Sequence, residues 1–371
     1  MAKKLILVIG ATGAQGIPVV SSLLAPTKDG SPSPYAVRAL TRDPTHERAL
    51  KLKAAGAELF EGSFENINDI IAAYQGCWGV FVNTDTFAVG QKREIYAAIQ
   101  LYEYAHREKG IRHFVWSGLD YSSKVGTPEW TMQGFALTRD WDPKLGGYDL
   151  KYKTEHLDAK GIFSDFLRSQ KSESTPNGEG LTWSIVTTGP YIEGLWSALL
   201  GPRRERDENG AVVFDIPIGD GHVPAISLRD IGWWTRYIFD HRAETSGKEL
   251  KIATEMITGD GLAKTFTRVT GIPAVYKRLS VDDYFAQRTV EGVDVPIAGE
   301  EKGSTVTIKD TFSGMYWTWR DDLLTRDMDW LRKTYPEGYT LESWIRETGY
   351  DGSLAPSGGL KNTNFKGVSK N

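Results

Sequence analysis

Lys4-Leu5-Ile6-Leu7-Val8-Ile9 runs directly into Gly10-Ala11-Thr12-Gly13-Ala14-Gln15-Gly16, and that turn opens onto the apolar spacing of Ile17 to Leu24. The first run is the Leu- and β-branched composition of a strand buried on both faces of a parallel sheet, and the last reads as a helix. Between them glycine recurs every third residue. Glycines in that setting permit positive φ, bring the backbone close to a pyrophosphate and let the helix pack tightly on its strand. Amides at the helix N-terminus, reinforced by the macrodipole, then face the phosphates. Many tight turns carry glycine, but a strand before and a helix after are the context that makes this one a dinucleotide cradle.

Outward from the cradle, strand and helix alternate. Strands are predicted over 35–40, 57–61, 79–83 and 113–117, with helices over 44–55, 67–74 and 91–109 between them. Asp43 is the expected N-cap of the 44–55 helix, with Pro44 at its first position. Pro26 to Pro34 is a surface loop inserted after the first helix. Further on, a helix is expected over 149–161, a sixth strand over 182–187, a helix over 227–239, a short strand over 250–253 and a helix over 258–270. This rhythm predicts an α/β fold, a doubly wound parallel sheet of the NAD(P)-binding Rossmann type. We divide the chain into a nucleotide-binding domain over 1–165, completed by about 181–189 and 226–254. A smaller discontinuous α/β substrate or lid domain takes 118–147, 190–225 and 255–350. Residues 351–371, dominated by Gly, Ser, Asn and Lys, read as a flexible tail.

Composition excludes other classes. The chain has 371 residues, 44 Lys+Arg against 48 Asp+Glu and a formal charge of -4, without the cationic surplus that nucleic-acid binding needs. One cysteine, Cys77, rules out an intramolecular disulfide and fits a reducing, cytoplasmic setting. Six histidines show no zinc-ligand spacing, so no metal is expected. The apolar run Leu5–Ile9 is too short for a signal sequence, and no stretch approaches the roughly 20 residues of a membrane helix.

The end of the second strand speaks to which dinucleotide is bound. NAD sites place an acid there, whereas this chain has Ala39-Leu40-Thr41-Arg42. A guanidinium at Arg42 suits a 2′-phosphate and favours NADP, with Arg38 four residues earlier as a possible assistant. Asp43 keeps NAD open.

Taken together, IGATGAQG, VRALTRDP, GSFEN, GVFVNTD, FVWSGLD, LKYKTEHLDAKG, SLRDIGWW and TGDGLAKTFTRVTG resemble the NmrA-like branch of the atypical short-chain dehydrogenase/reductases. The resemblance spans roughly 4–285; a C-terminal extension like the Trp-rich remainder is associated with fungal members. It implies that Gly10, Thr12, Gly13, Gln15 and Gly16 line the phosphates of NADP(H) and that Arg42 meets the 2′-phosphate. It further implies that Ser63 and Phe64 border the adenine and that Asn83, Thr84 and Asp85 approach the nicotinamide ribose. Ser117 would lie on the nicotinamide side, and Lys151 would fall on the family's active-site lysine.

Typical short-chain dehydrogenases carry a tyrosine four residues before that lysine, as proton donor. Four before Lys151 stands Gly147, with Tyr148 and Tyr152 each one residue off. Tyr121, beyond Ser117, is an alternative catalytic group. The resemblance therefore leaves two functions open. One is an NADPH-dependent oxidoreductase acting on a small aromatic or conjugated carbonyl, quinone or imine. The other is a non-catalytic NADP(H)-binding redox sensor that contacts a regulatory protein. The bland reading of Lys151 is a surface lysine paired with Glu155. Trp130, Trp141, Tyr191, Trp196, Phe214 and the Trp317/Trp319 pair are aromatic candidates for the substrate pocket, Trp130, Tyr191 and Trp196 foremost; packing in a core is the competing role for each. His222 reads as a loop histidine and Cys77 as a small buried residue.

Overall fold

The computed structural model describes residues 2–124, 148–173, 179–197, 199–287, 294–298 and 306–354. The apolar runs become strands β1 (Lys4–Ile9), β2 (Tyr35–Thr41), β3 (Glu58–Glu61), β4 (Gly79–Val82), β5 (His113–Gly118) and β6 (Thr182–Thr187). Two short strands, β7 (Val212–Phe214) and β8 (Val223–Ala225), precede β9 (Lys248–Lys251). β10 (Glu255–Ile257) and β11 (Ala274–Tyr276) follow it. The central sheet has seven parallel strands in the order β3-β2-β1-β4-β5-β6-β9. Chain direction across the sheet reverses between β1 and β4, so a crevice opens at their carboxyl ends, where such folds bind ligands.

The helices are α1 (Gly16–Leu24), α2 (Glu47–Ala54), α3 (Ile67–Tyr74), α4 (Thr86–Val89), α5 (Gln91–Arg107) and α6 (Glu155–Arg168). The second half adds α7 (Leu228–Asp240), α8 (Arg242–Thr245), α9 (Gly259–Thr270), α10 (Val281–Gln287), α11 (Ile308–Arg320), α12 (Met328–Thr334) and α13 (Leu341–Thr348). One face of the sheet is covered by α1 and α7, through Val19, Val20, Leu23, Ile231, Trp234 and Ile238. The other is covered by α3, α5 and α6, through Ile70, Ala98, Leu101, Phe163 and Leu167. A separate core collects Phe214, Phe266, Tyr316, Trp319 and Trp344 around the β7–β11 and β8–β10 pairs. Among the described residues no helix is long and apolar enough to cross a membrane.

Several expectations change. Residues 190–225, where no individual strand is predicted, contain β7 and β8; strands of three residues are too short to show a period. The last sheet strand is Lys248–Lys251 rather than 250–253. His46, not Asp43, caps α2, its ring accepting from the Arg48 amide, while Asp43 turns back onto Thr45. The helix expected over 149–161 is split into a short turn at Leu150–Tyr152, capped by Asp149, and α6 from Glu155. The split is fixed by Asp158, whose carboxylate accepts from the Thr154 amide. Trp317 and Trp319 lie on helix α11, about 200° apart round its axis, so they do not share a side.

The C-terminal segment returns to the sheet. Leu331 joins the α1/α7 face, and Tyr335 stacks on Trp233 at 3.9 Å with 8° between the rings. Just before it, the Arg326 side chain is fully buried. Its guanidinium donates to both Asp120 oxygens beyond β5, to the Thr188 carbonyl beyond β6 and to the Ile252 carbonyl beyond β9. Burial pushes the Asp120 carboxyl up, but Arg326 and then Lys251 outweigh it and hold the group below its ordinary value.

Candidate nucleotide and substrate site

The turn after β1 is shaped by what it excludes. Gly10 has φ of 79°, and a Cβ there would stand 2.5 Å from the Asn83 carbonyl oxygen. A Cβ on Gly16 would stand 2.1 Å from the Gly10 carbonyl oxygen. No other residue type fits either position without moving backbone. The amides of Ala14 and Gln15 meet no acceptor among the described residues, which leaves donors at the start of α1. A cradle with no room for Cβ atoms and with free amides at a helix N-terminus fits a diphosphate.

Thr12 and Gly13 lie in the same turn, and the Arg48 guanidinium donates to the Thr12 carbonyl at 3.4 Å from α2. Arg42 follows β2 directly and is exposed, with no ion pair among the described residues. Arg38 is elsewhere: it is tied to Glu58 and to the Ala73 and Gln75 carbonyls, so it does not assist Arg42. Ser63 and Phe64 come just after β3, half-buried, with the Ser63 amide donating to Asp69.

The sharpest correction concerns the lysine. Lys151 precedes α6 and donates to Asp321 at 2.5 Å and to the Tyr152 hydroxyl at 3.3 Å. Burial lowers its pKa, but Asp321 and Tyr152 outweigh that and raise it. It is neither at the crevice nor paired with Glu155 as expected. The lysine that reaches the crevice is Lys160, in the second turn of α6. Its buried ammonium faces Asn83 Oδ1 at 3.2 Å, Thr84 Oγ1 at 3.4 Å and the Ser117 carbonyl at 3.2 Å. Glu94 Oε1, 1% exposed on α5, lies 3.3 Å from it. Glu94 also accepts from Thr84 at 2.5 Å and from Thr86. Asp85 caps α4 through the Phe87 amide. The turn after β4 thus carries Asn83 and Thr84 into one polar cluster with Lys160 and Glu94, with Asp85 next in the chain at the start of α4.

Ser117 closes the cluster on the β5 side. Its hydroxyl donates to Gln15 Oε1 at 2.6 Å, and Gln15 Nε2 donates to the Tyr191 hydroxyl at 2.9 Å. Tyr121 points away: its backbone packs against Gly161, and its phenol bonds to Tyr148, with 5.6 Å between the rings.

Four residues before Lys160, hence on the same helix face, stands His156. Burial, then the Lys160 charge, lowers its pKa to about 3, so it is neutral at physiological pH. Its ring lies 5.0 Å from Phe87 and 5.8 Å from Phe312, and those two lie 6.3 Å apart. The ring triangle joins the crevice to the second core. Trp196 instead packs on Trp344 at 4.9 Å inside that core, Phe214 is fully buried against Phe266, and Trp130 and Trp141 lie outside the described residues. His222 meets Asp322 at the surface, and burial pushes the Cys77 thiol up to about 11.

Lys160, Glu94, His156, Phe87, Phe312 and Arg48 were not singled out from the sequence. A signal for Lys160 was present: it falls with Leu157, Ser164 and Leu167 on the buried stripe of α6, where a cation demands a reason.

The NmrA-like family matches residues 2–137 and 154–321, most of the chain. This protein belongs to the NmrA-like family. It is 36% identical over 288 residues to the NmrA-like family domain-containing oxidoreductase hkm9 of Aspergillus hancockii, spanning 74% of this chain and 75% of that one. It is 28% identical over 303 residues to the oxidoreductase malD of Malbranchea aurantiaca, spanning 80% and 79%. Among solved structures, NmrA, a negative transcriptional regulator in complex with NADP, superposes with a TM-score of 0.66 at 18% identity, over 94% of this chain and 95% of that one. That likeness carries the Rossmann fold of this family member.

Proposed function

We propose that this protein is an NADPH-dependent oxidoreductase that transfers hydride to a small aromatic or conjugated carbonyl, quinone or imine. The observation that carries the reading is the Lys160 ammonium at Asn83, Thr84 and Ser117, beside a cradle that fits a diphosphate. Relatives named as oxidoreductases over three quarters of their length support it. The regulator reading is supported only by likeness of fold at 18% identity.

Bound NADPH supplies the hydride. The turn from Gly10 to Gly16 holds the diphosphate, with Thr12 and Gly13 at its floor. Arg42 grips the 2′-phosphate with Arg48 as neighbour, and Ser63 and Phe64 flank the adenine. Asn83, Thr84 and Asp85 line the ribose, and Lys160, held by Glu94, orients its hydroxyls. Phe87, His156 and Phe312 exclude water and offer flat apolar surface to a planar acceptor. In this reading the sheet half binds nucleotide, the second core covers the substrate, and the enzyme works in the cytoplasm. His156 occupies the position of the usual tyrosine but is held neutral, so it shapes the pocket instead of acting as an acid.

The test is a double substitution, since removing Lys160 alone would strand a buried carboxylate at a cost of about 3–5 kcal/mol. Lys160→Met with Glu94→Gln should keep the circular dichroism of the fold and abolish NADPH oxidation by quinones, enones and imines. Undiminished turnover would refute the reading.

A further inference from the structure

We propose that Tyr191 delivers the proton that completes the reduction; the inference rests on the reductase reading above. The Gln15 carboxamide sits between two hydroxyls and assigns them different roles. Its oxygen accepts the Ser117 proton, so that proton is committed. Its nitrogen donates to the Tyr191 hydroxyl, so the phenolic oxygen is an acceptor there and its own proton meets no acceptor among the described residues. The hydroxyl and ammonium protons of Thr84, Thr86 and Lys160 are engaged. Thr84 and Thr86 both donate to Glu94. The three protons of the Lys160 ammonium face four acceptors within 3.4 Å. His156, whose Nδ1 meets no partner among the described residues, is packed as a neutral ring between Phe87 and Phe312.

The phenol is also rigidly held. Tyr191 bridges Ile226 in parallel, and the chain on either side is pinned by Ile192 N to Ile226 O and Ile226 N to Pro190 O, each at 3.0 Å. Burial first, then the Asp85 and Glu193 charges, keep the proton on the phenol at neutral pH, while the Gln15 N–H bond works the other way and steadies the oxygen once the proton leaves. As the acceptor's C=O or C=N carbon takes hydride from NADPH, its heteroatom gains the π electron pair and takes the phenolic proton. The tyrosinate recovers a proton from water, and NADP⁺ leaves with the reduced product. Ser117, by this account, is a positioning residue: it turns the Gln15 carboxamide so that its N–H groups face Tyr191.

The experiment is Tyr191→Phe in the full chain, with 9,10-phenanthrenequinone as neutral acceptor and a triarylmethyl cation, malachite green, as an acceptor that needs hydride but no proton. Expected is a loss of about 100-fold in kcat with the quinone, NADPH affinity within about threefold of wild type, and any turnover of the cation spared. Quinone turnover within threefold of wild type would overturn the proposal. So would equal losses on quinone and cation, or a loss of NADPH affinity as large as the loss of turnover, since both describe a structural tyrosine. If the wild type oxidises NADPH with neither acceptor, nor with enones and imines, the reductase reading itself falls and this assignment with it.

Discussion

The cradle after β1 and the aromatic region beyond residue 255 are built on opposite principles. In the cradle the working surface is backbone: Gly10 and Gly16 are set by carbonyl oxygens 2.5 and 2.1 Å from where a Cβ would be. In the aromatic region it is side chain: Phe312 reaches Phe87 and His156 from α11, and its own backbone needs no special conformation. The first cannot vary without moving backbone. The second can exchange rings of different outline while keeping its volume, which in the proposed reading lets one nucleotide scaffold serve different acceptors.

The hardest blow to the contrast falls on the cradle. Gly10→Ala should weaken NADPH binding by at least about 100-fold and destabilise the protein by about 2–4 kcal/mol, combining a positive φ with a backbone collision; calorimetric titration and urea unfolding measure both. Ordinary affinity in this variant would mean that side chains, not backbone, hold the diphosphate. Next, Arg42→Ala should cost NADPH roughly 10- to 100-fold in affinity and leave NADH nearly unchanged. Parallel losses of both nucleotides would remove Arg42 from the 2′-phosphate.

The smallest effect sharpens the comparison through pH. Glu193, two residues after Tyr191, accepts from the Leu228 amide at the start of α7 and from the Trp344 ring of the second core. Burial raises its pKa from 4.5 to about 7. A carboxyl raised on folding keeps its proton in the native state, so its contribution is complete below pH 4.5 and is lost as pH climbs to about 7. His113, buried at the start of β5, is lowered from 6.5 to about 3 by burial and by Arg242 and Lys4, so its contribution is complete above pH 6.5 and is lost on acidification. Glu193→Gln isolates the first. Relative to wild type it should gain on the order of 1–3 kcal/mol between pH 5 and pH 8, read from urea unfolding at the two values. A difference that stays constant across that interval would assign Glu193 no such linkage.

The nucleotide half was legible because its signals are local. A Leu and Val run, a triplet of glycines and a fixed rhythm of strand and helix predict β1 to β6 and the crevice without any tertiary knowledge. The lysine was not legible by the same means. LKYKTEHLDAKG offers Lys151, Lys153 and Lys160, and the choice depends on where α6 begins. Asp149 looks like its cap but caps a separate turn, while Thr154 and Asp158 set the true start. Glu94 reads from sequence as one more solvated charge beside Lys92 and Arg93; only the fold of α5 against α6 buries it. Phe87, His156 and Phe312 are far apart in the chain, and no periodicity joins them.

The buried grip of Arg326 has a consequence for how the protein comes to be. Asp120 leaves the ribosome some two hundred residues ahead of Arg326, the buried one of its two cation partners. Until Arg326 arrives, the tips of β5, β6 and β9 lack their shared donor, and Asp120 has only the half-exposed Lys251 beside it. A nascent chain halted before Arg326 would therefore carry a sheet whose binding edge remains wet and loose, so nucleotide capture should be among the last properties acquired during synthesis.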